Sequence, residues 1–254
     1  IGHMYDEGSV VPRPASESLG FYVAIVNYVN EYDALPQAQK DIVDDFLLPL
    51  GIDLSNGVNT LPELQAMADP DNGILFELDG ITLKHPGDLA TFFGLINQFV
   101  TQFNAISNPL EKTAVNTLLG LYGINLTDGP LTPAEIAIFA DTDTGILYDE
   151  LGAERPAQQA IDFLLGVVRF TAAYNNHSIV PPALKAEVDL LLALYVGDNA
   201  TPLNLSNGVT SVDELEIFGK TSFGVLYDEG SVVPRATSES LGFYVAIVNY
   251  VNEY

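Results

Sequence analysis

Cysteine is absent from the 254-residue sequence, and basic residues are scarce. Without cysteine, the chain can form neither disulfides nor thiolate metal sites. Only 9 lysines and arginines stand against 34 aspartates and glutamates, which gives a formal net charge of −25. A charge of this sign repels nucleic acid and anionic membrane surfaces. The composition therefore predicts that nucleic acid is not a partner.

Hydrophobic runs long enough to span a membrane are also missing. A transmembrane helix needs roughly 20 consecutive apolar residues. The most apolar stretches, residues 19–26 and 163–168, are soon interrupted by asparagine or by Arg169. We therefore expect no membrane insertion. Because 48% of the residues are hydrophobic and 17% are charged, the composition indicates a packed domain rather than an acidic disordered tail.

Sequence motifs of catalysis are missing as well. The three histidines, His3, His85 and His177, do not have the spacing of a metal site or of a nucleophile and its base. The sequence contains no glycine-rich phosphate loop, no His-Glu-x-x-His and no nucleophile elbow. We therefore predict that the protein is not an enzyme.

A long internal duplication is the most informative feature of the chain. Residues 5–32 return as residues 227–254, with 26 of 28 positions identical and an offset of 222. Only Pro14/Ala236 and Ala15/Thr237 differ. Near-identity over a whole segment is typical of sequence copied as a unit, so the chain reads as part of a tandem array. Residues 1–4, Ile-Gly-His-Met, are typical of an expression-vector remnant.

A second, more diverged period lies inside this 222-residue cassette. The motif Gly-(Ile/Val)-Leu-(Phe/Tyr) places aromatic markers at Phe76, Tyr148 and Tyr227, and Tyr5 begins a copy whose start is replaced. The markers are 71, 72 and 79 residues apart. These spacings predict three sub-repeats, at residues 5–75, 76–147 and 148–226, and residues 227–254 as the first helix of the next cassette.

Each sub-repeat is predicted to contain three helices, so the expected fold is an all-α, solenoid-like array. An apolar first helix is followed by a second helix after a proline-containing turn and by a short third helix. The dense apolar composition of the first helices indicates burial on most sides. The predicted first helices are residues 16–32, 86–105, 156–175 and 238–254, and the predicted second helices are residues 37–50, 109–122 and 182–195.

The start of each third helix carries a capping-box spacing. Thr60 precedes Glu63 by three residues, so the hydroxyl can cap an amide while the carboxylate reaches back to the amide of the cap residue. The preceding loop, Asp53-Leu54-Ser55-Asn56-Gly57, is best explained as a turn in which Gly57 adopts positive φ. The equivalent pairs are Thr132 with Glu135 and Ser211 with Glu214, and the equivalent loops are residues 125–129 and 204–208.

Two acidic loops between sub-repeats are candidate calcium sites. Residues 69–73 and 141–145 alternate aspartate with other residues before a glycine, and Ca²⁺ prefers six to eight oxygen ligands. The glycine is fifth rather than sixth, so the loops are not EF-hands. The alternative is that these residues only form turns and helix caps. The candidate ligands are Asp69, Asp71 and Glu77 in the first loop, and Asp141, Asp143 and Glu150 in the second.

The third junction differs from the other two at the candidate ligand positions. Lys220 and Ser222 replace the aspartates there. We predict that the Lys220 ammonium substitutes for a cation and neutralises Asp228 or Glu229. Two junctions in each cassette would then bind calcium, and the third would be closed by protein charge.

The repeat organisation and the acidic, cysteine-free composition resemble the stalk regions of very large bacterial surface proteins and secreted adhesins, as a class. This resemblance implies a secreted or cell-surface location and a calcium-rich or saline setting. The expected function is a non-catalytic spacer, and the alternative is a multivalent adhesive module that binds a glycan or matrix partner. The expected partners are adjacent repeats of the same chain, with head-to-tail self-association between cut ends.

Overall fold

The computed structural model describes residues 15–67, 84–129, 131–141, 146–148, 153–228, 231 and 233–253. This part of the chain contains ten α-helices and no β-strand, which confirms the predicted all-α class. Two isolated β-bridges, Tyr148–Glu154 and Val196–Pro202, occur outside the helices. The helices are α1 (Ala15–Asp33), α2 (Gln37–Leu47), α3 (Leu61–Met67), α4 (Pro86–Ala105), α5 (Pro109–Tyr122), α6 (Pro133–Ala140), α7 (Ala157–Tyr174), α8 (Lys185–Leu192), α9 (Val212–Gly219) and α10 (Thr237–Asn252).

Two of the predicted second helices are shorter than predicted. The α-helical hydrogen bonding of α2 stops at Leu47, and a 3-10 turn follows over Leu48–Leu50, because Pro49 has no N–H to donate. The predicted helix at residues 182–195 begins as a 3-10 turn over Pro182–Leu184 and becomes α8 only from Lys185. The helix over Pro109–Tyr122 has the predicted bounds.

The loops before α3, α6 and α9 have the turn chemistry that the sequence predicts. The Asp53 carboxylate accepts a hydrogen bond from the Ser55 N–H at 3.0 Å, and Gly57 has φ of +76°, a region that favours glycine. The two later loops repeat both features, with Asn125 and Asn204 as acceptors at 3.1 and 3.0 Å and with positive φ at Gly129 and Gly208.

The described residues divide into two compact units. The first lies within Ile1–Asn97 and Thr132–Ala140, and the second within Gln98–Leu131 and Asp141–Tyr254. In the first unit, the Phe46 ring of α2 stacks on the Phe93 ring of α4, with centroids 4.5 Å apart and planes 9° from parallel. Burial of both rings makes this pair a centre of the first core.

The core of the second unit is built around α7. Eleven of its 18 residues are buried, so this first helix is buried on most sides as predicted. The same prediction is wrong for α1, where Leu19, Val23 and Val26 are exposed. Phe170 of α7 meets Phe218 of α9 edge to face, with centroids 5.2 Å apart. Helix α7 also contacts α5 and α10, and α10 contacts α8.

Candidate functional site

The duplicated helix presents two apolar faces, and each of its two copies buries a different one. We name the Leu-Tyr-Val face after Leu19, Tyr22 and Val26, and the Ile-Tyr-Tyr face after Ile25, Tyr28 and Tyr32. Both sets follow helical spacing. In α10 the Leu-Tyr-Val face consists of Leu241, Tyr244 and Val248. The Ile-Tyr-Tyr face consists of Ile247, Tyr250 and Tyr254, and Tyr254 lies outside the described residues.

The exposed fractions of identical side chains reverse between α1 and α10. Leu19 is 64% exposed but Leu241 is fully buried, and Val26 is 58% exposed but Val248 only 4%. On the other face, Tyr28 is 2% exposed but Tyr250 is 62% exposed. One helix sequence therefore forms a tertiary contact through the Leu-Tyr-Val face at α10 and through the Ile-Tyr-Tyr face at α1.

The Ile-Tyr-Tyr face of α1 is held by α2. The Tyr32 hydroxyl donates to both carboxylate oxygens of Asp44 at 2.7 Å, and the Lys40 ammonium lies 5.2 Å from the centre of the Tyr32 ring. Burial, followed by the hydrogen bond with Asp44, raises the pKa of Tyr32. The charged and polar groups are thus arranged to hold a neutral tyrosine at this end of α1.

The Leu-Tyr-Val face of α10 lies against α7 and α8. The Tyr244 hydroxyl donates to the Tyr195 hydroxyl at 3.1 Å, and the two rings meet edge to face with centroids 6.2 Å apart. Burial, followed by the hydrogen bond with Tyr195, raises the pKa of Tyr244. This contact is therefore apolar with one hydroxyl pair inside it.

In the first unit, a groove of about 370 Å³ borders the Leu-Tyr-Val face of α1. Tyr22, Ile25 and Val26 of α1 form one wall, and residues from Val58 to the start of α3 form the other. Leu61 is 56% exposed on that second wall. The groove is lined mainly by apolar side chains.

Among the described helices, α4, α7 and α10 each contact the helix that lies two before them in the chain. In the first unit, α4 contacts α2 through Phe93 and Phe46. In the second unit, Arg169 of α7 donates to both oxygens of Glu111 of α5, at 2.8 and 3.1 Å. The Arg169 hydrogen bond holds the pKa of Glu111 below its usual range. The α10–α8 contact has the same order in the chain.

A cluster of one aromatic residue, one lysine and one aspartate or asparagine occurs three times, and its first copy is Tyr32, Lys40 and Asp44. In the third copy, the Tyr174 hydroxyl donates to Asp189, and the Lys185 ammonium lies 4.1 Å from the Tyr174 ring centre. In the second copy, Phe103 has no hydroxyl, and Asn116 stands in place of the aspartate. Asn116 accepts from the Leu126 N–H and donates to Asn125, both at 2.9 Å, while Lys112 covers the Phe103 ring.

These clusters were not predicted from the sequence, although the sequence carries one sign of them. Few lysines occur in the chain, yet three of them precede Asp44, Asn116 and Asp189 by four residues. This spacing puts both side chains on one helix face. An aspartate is present only in the two clusters whose aromatic residue is a tyrosine, so each carboxylate has a hydroxyl that can donate to it.

The predicted capping boxes are present, and their glutamates are buried. Glu63 accepts from the Thr60 N–H at 2.9 Å and from the Thr60 hydroxyl at 2.6 Å, while its own N–H donates to that hydroxyl at 3.4 Å. The Thr60 hydroxyl is the main cause of the lowered pKa of Glu63. The pair Thr132 and Glu135 repeats this arrangement.

The third box is shifted by one residue from the prediction. Ser211 does cap the Glu214 N–H at 3.2 Å, but the Glu214 carboxylate accepts from the Thr210 N–H at 2.8 Å rather than from the Ser211 N–H. The other carboxylate oxygen accepts from the Asn204 N–H at 3.2 Å. Glu214 therefore ties the preceding turn to the start of α9.

Most of the candidate calcium ligands fall outside the described residues. These are Asp69, Asp71, Glu77, Asp143 and Glu150. Asp141 is exposed immediately after α6. Among the residues that the structure describes, no cluster of three or more metal-ligating side chains is found.

Lys220 and Asp228 are both paired, but not with each other. The Lys220 ammonium lies 2.5 Å from a carboxylate oxygen of Asp198, and Arg235 lies 2.7 Å from Asp228. The predicted pairing of Lys220 with Asp228 is therefore wrong, because each residue has a closer partner in the fold. Glu229, the other predicted partner, lies outside the described residues.

None of the described helices is both long enough and apolar enough to cross a membrane. No protein-family model, curated protein or solved structure matches this chain.

Proposed function

We propose that the protein is a non-catalytic spacer from a tandem array in a long secreted or cell-surface protein. The main support for this proposal is that the two copies of one helix bury different apolar faces. In an array, the helix that ends one cassette also begins the next. Such a helix needs one apolar face for the preceding repeat and another for its own repeat, and the duplicated helix has both.

The order of the helix contacts supports the same function. Helices α4, α7 and α10 each contact the second helix of the group before them, namely α2, α5 and α8. A contact that recurs in this order can be extended by adding repeats, because each new first helix meets a surface of the same kind. Length would therefore grow with copy number, which is what a spacer requires.

Calcium at the acidic loops is a second part of this proposal. The loops at residues 69–73 and 141–145 supply carboxylate oxygens, for which Ca²⁺ has a preference. Bound ions would reduce the repulsion within a chain of net charge −25 and stiffen two junctions in each cassette.

Small-angle X-ray scattering of a chain with one additional 222-residue cassette tests the spacer. A compact globule of that length would have a radius of gyration of about 23 Å, whereas the present chain as a compact domain would have about 18 Å. A spacer should exceed the compact value and lengthen in proportion to the added cassette. Measurement in calcium and then in EDTA tests whether calcium stiffens the junctions, because that stiffening should be lost in EDTA. A compact tandem chain in both buffers would contradict the spacer.

The groove beside α1 favours an adhesive module as the second candidate function. If successive cassettes did not pack through the Leu-Tyr-Val face, an apolar groove of about 370 Å³ would recur once in each cassette and would offer the same weak site many times. A screen of glycans and matrix proteins against one-cassette and two-cassette chains separates the candidates. Saturable binding whose affinity rises with the number of cassettes supports the module, and a spacer should show no such partner.

A further inference from the structure

We propose that the Leu-Tyr-Val face of α1 binds the α7–α8 surface of a second copy of this chain when the α10 of that copy does not cover the surface. The inference rests on the proposed array and names the residues of its junction. Leu19, Tyr22 and Val26 of one copy would take the positions that Leu241, Tyr244 and Val248 take in the other. The result is a head-to-tail contact between chains.

The sequence identity of the two helices is the first argument. The residues of the Leu-Tyr-Val face are the same in α1 and α10, so the α7–α8 surface that accepts one accepts the other by the same contacts. At α10 this binding buries Leu241 completely and leaves Val248 4% exposed. In α1 the same side chains are 64% and 58% exposed, so they have apolar surface to bury.

The anchoring of α1 is the second argument. Helix α1 is held to its own unit by the Ile-Tyr-Tyr face, through Tyr32 and Asp44. Its Leu-Tyr-Val face can therefore bind another molecule without leaving its place. The neighbouring groove, lined by Val58 and Leu64 on its far side, provides room for side chains of the second copy.

The covalent attachment of α10 decides which helix occupies the surface. Within one chain, α10 acts at an effective concentration on the order of millimolar, because the residues between α9 and α10 join it covalently to the helices that it contacts. A helix α1 from another molecule competes only at its own concentration. The unaltered chain is therefore expected to be a monomer, and association should begin when α10 can no longer dock.

Matched substitutions in the full chain test this competition. Val248→Asp places a charge in the buried contact of α10, and Val26→Asp makes the same chemical change at the identical, exposed position of α1. By light scattering, Val248→Asp should raise the mean mass above the 27.4 kDa monomer as concentration increases. Val26→Asp alone should remain monomeric with unchanged helical content. The double variant should return to the monomer, because it lacks both helices that fit the surface.

A peptide with the sequence of residues 236–253 provides the second measurement. It should bind the Val248→Asp chain, restore its helical circular dichroism and dissolve the assemblies. Three results would overturn the inference. They are a monomeric Val248→Asp chain at every concentration, equal association of the double variant, and loss of structure that neither concentration nor peptide restores.

Failure of this inference can be distinguished from failure of the spacer. If the tandem chain is extended in scattering and the Val248→Asp variant is monomeric, the spacer function is supported and the intermolecular contact is contradicted. If the tandem chain is compact and the Val248→Asp variant associates in a way that Val26→Asp reverses, the intermolecular contact is supported and the spacer function is contradicted.

Discussion

Tyr28 and Tyr32 lie one turn apart on α1, and both are only 2% exposed, but their hydroxyls differ in partners. The Tyr32 hydroxyl donates to Asp44, whereas the Tyr28 hydroxyl is buried without a hydrogen-bond partner in the described part of the chain. A buried hydroxyl without a partner costs roughly 1–3 kcal/mol. The equivalent positions of α4 and α7 carry Phe99 and Phe170, which bury a ring without a hydroxyl.

We predict that Tyr28→Phe increases the free energy of unfolding by about 1 kcal/mol, because it removes the unpaired hydroxyl and keeps the ring. Tyr32→Phe should lower the free energy by about 1 kcal/mol, because Asp44 then loses its donor. Urea denaturation followed by circular dichroism measures both variants. Equal destabilisation by the two substitutions would contradict the prediction.

The capping glutamates show what a local motif can and cannot predict. The spacing of Thr60 and Glu63 predicts their reciprocal hydrogen bonds, because these depend on the geometry of one helix start. Burial of the carboxylate depends on packing against the preceding turn, which the spacing does not contain. At Glu214 two neighbouring hydroxyl residues, Thr210 and Ser211, divide the roles that Thr60 performs alone. No rule of spacing distinguishes these arrangements.

At the scale of the element, Phe92 and Phe93 are successive residues of α4 that point to different surroundings. Phe93 is fully buried and stacks on Phe46, while Phe92 is only half-buried. We predict that Phe93→Ala lowers the free energy of unfolding by about 3–5 kcal/mol, because it leaves a cavity between α2 and α4. Phe92→Ala removes the same atoms and is the control. Thermal unfolding should show a clearly smaller loss for Phe92→Ala, and similar losses would contradict the assigned packing.

The duplicated helix explains why the sequence predicts helices better than their contacts. Its apolar residues surround most of the helix, so the pattern indicates burial without saying which face meets which neighbour. α1 buries the Ile-Tyr-Tyr face and α10 the Leu-Tyr-Val face, although their sequences are nearly identical. The helices, their turns and two of the three capping boxes depend on local sequence and were predicted from it. The choice of face is set by the elements that surround each copy.

At the scale of the whole molecule, the same limit applies to the calcium loops. Alternating aspartates predict oxygen ligands within one loop, but a calcium site needs further oxygens from elements that spacing does not identify. Lys220 illustrates this limit, because its partner is Asp198, 22 residues earlier in the chain, and not the nearby Asp228. The charges of a junction can be recognised in the sequence, whereas their pairing depends on the fold.

Buried tyrosines in both units predict alkaline unfolding. Burial is the largest cause of the raised pKa of Tyr28, Tyr32, Tyr174 and Tyr244, and it raises the pKa of Tyr227 to about 12. A tyrosine with a higher pKa in the folded state than in the unfolded state contributes stability that is fully present below about pH 10. That stability is lost as the pH rises towards the folded values, because the unfolded chain releases these protons more readily.

We therefore expect the free energy of unfolding to fall steeply above about pH 10. The loss of helical circular dichroism should coincide with the rise of tyrosinate absorbance, because the buried hydroxyls ionise when the helices separate. Tyr28→Phe is the control, since it removes one of these groups and should move the transition to higher pH. Full ionisation of the tyrosines with the helical signal retained would contradict the burial of these side chains. A shift to lower pH in Tyr28→Phe would contradict the linkage.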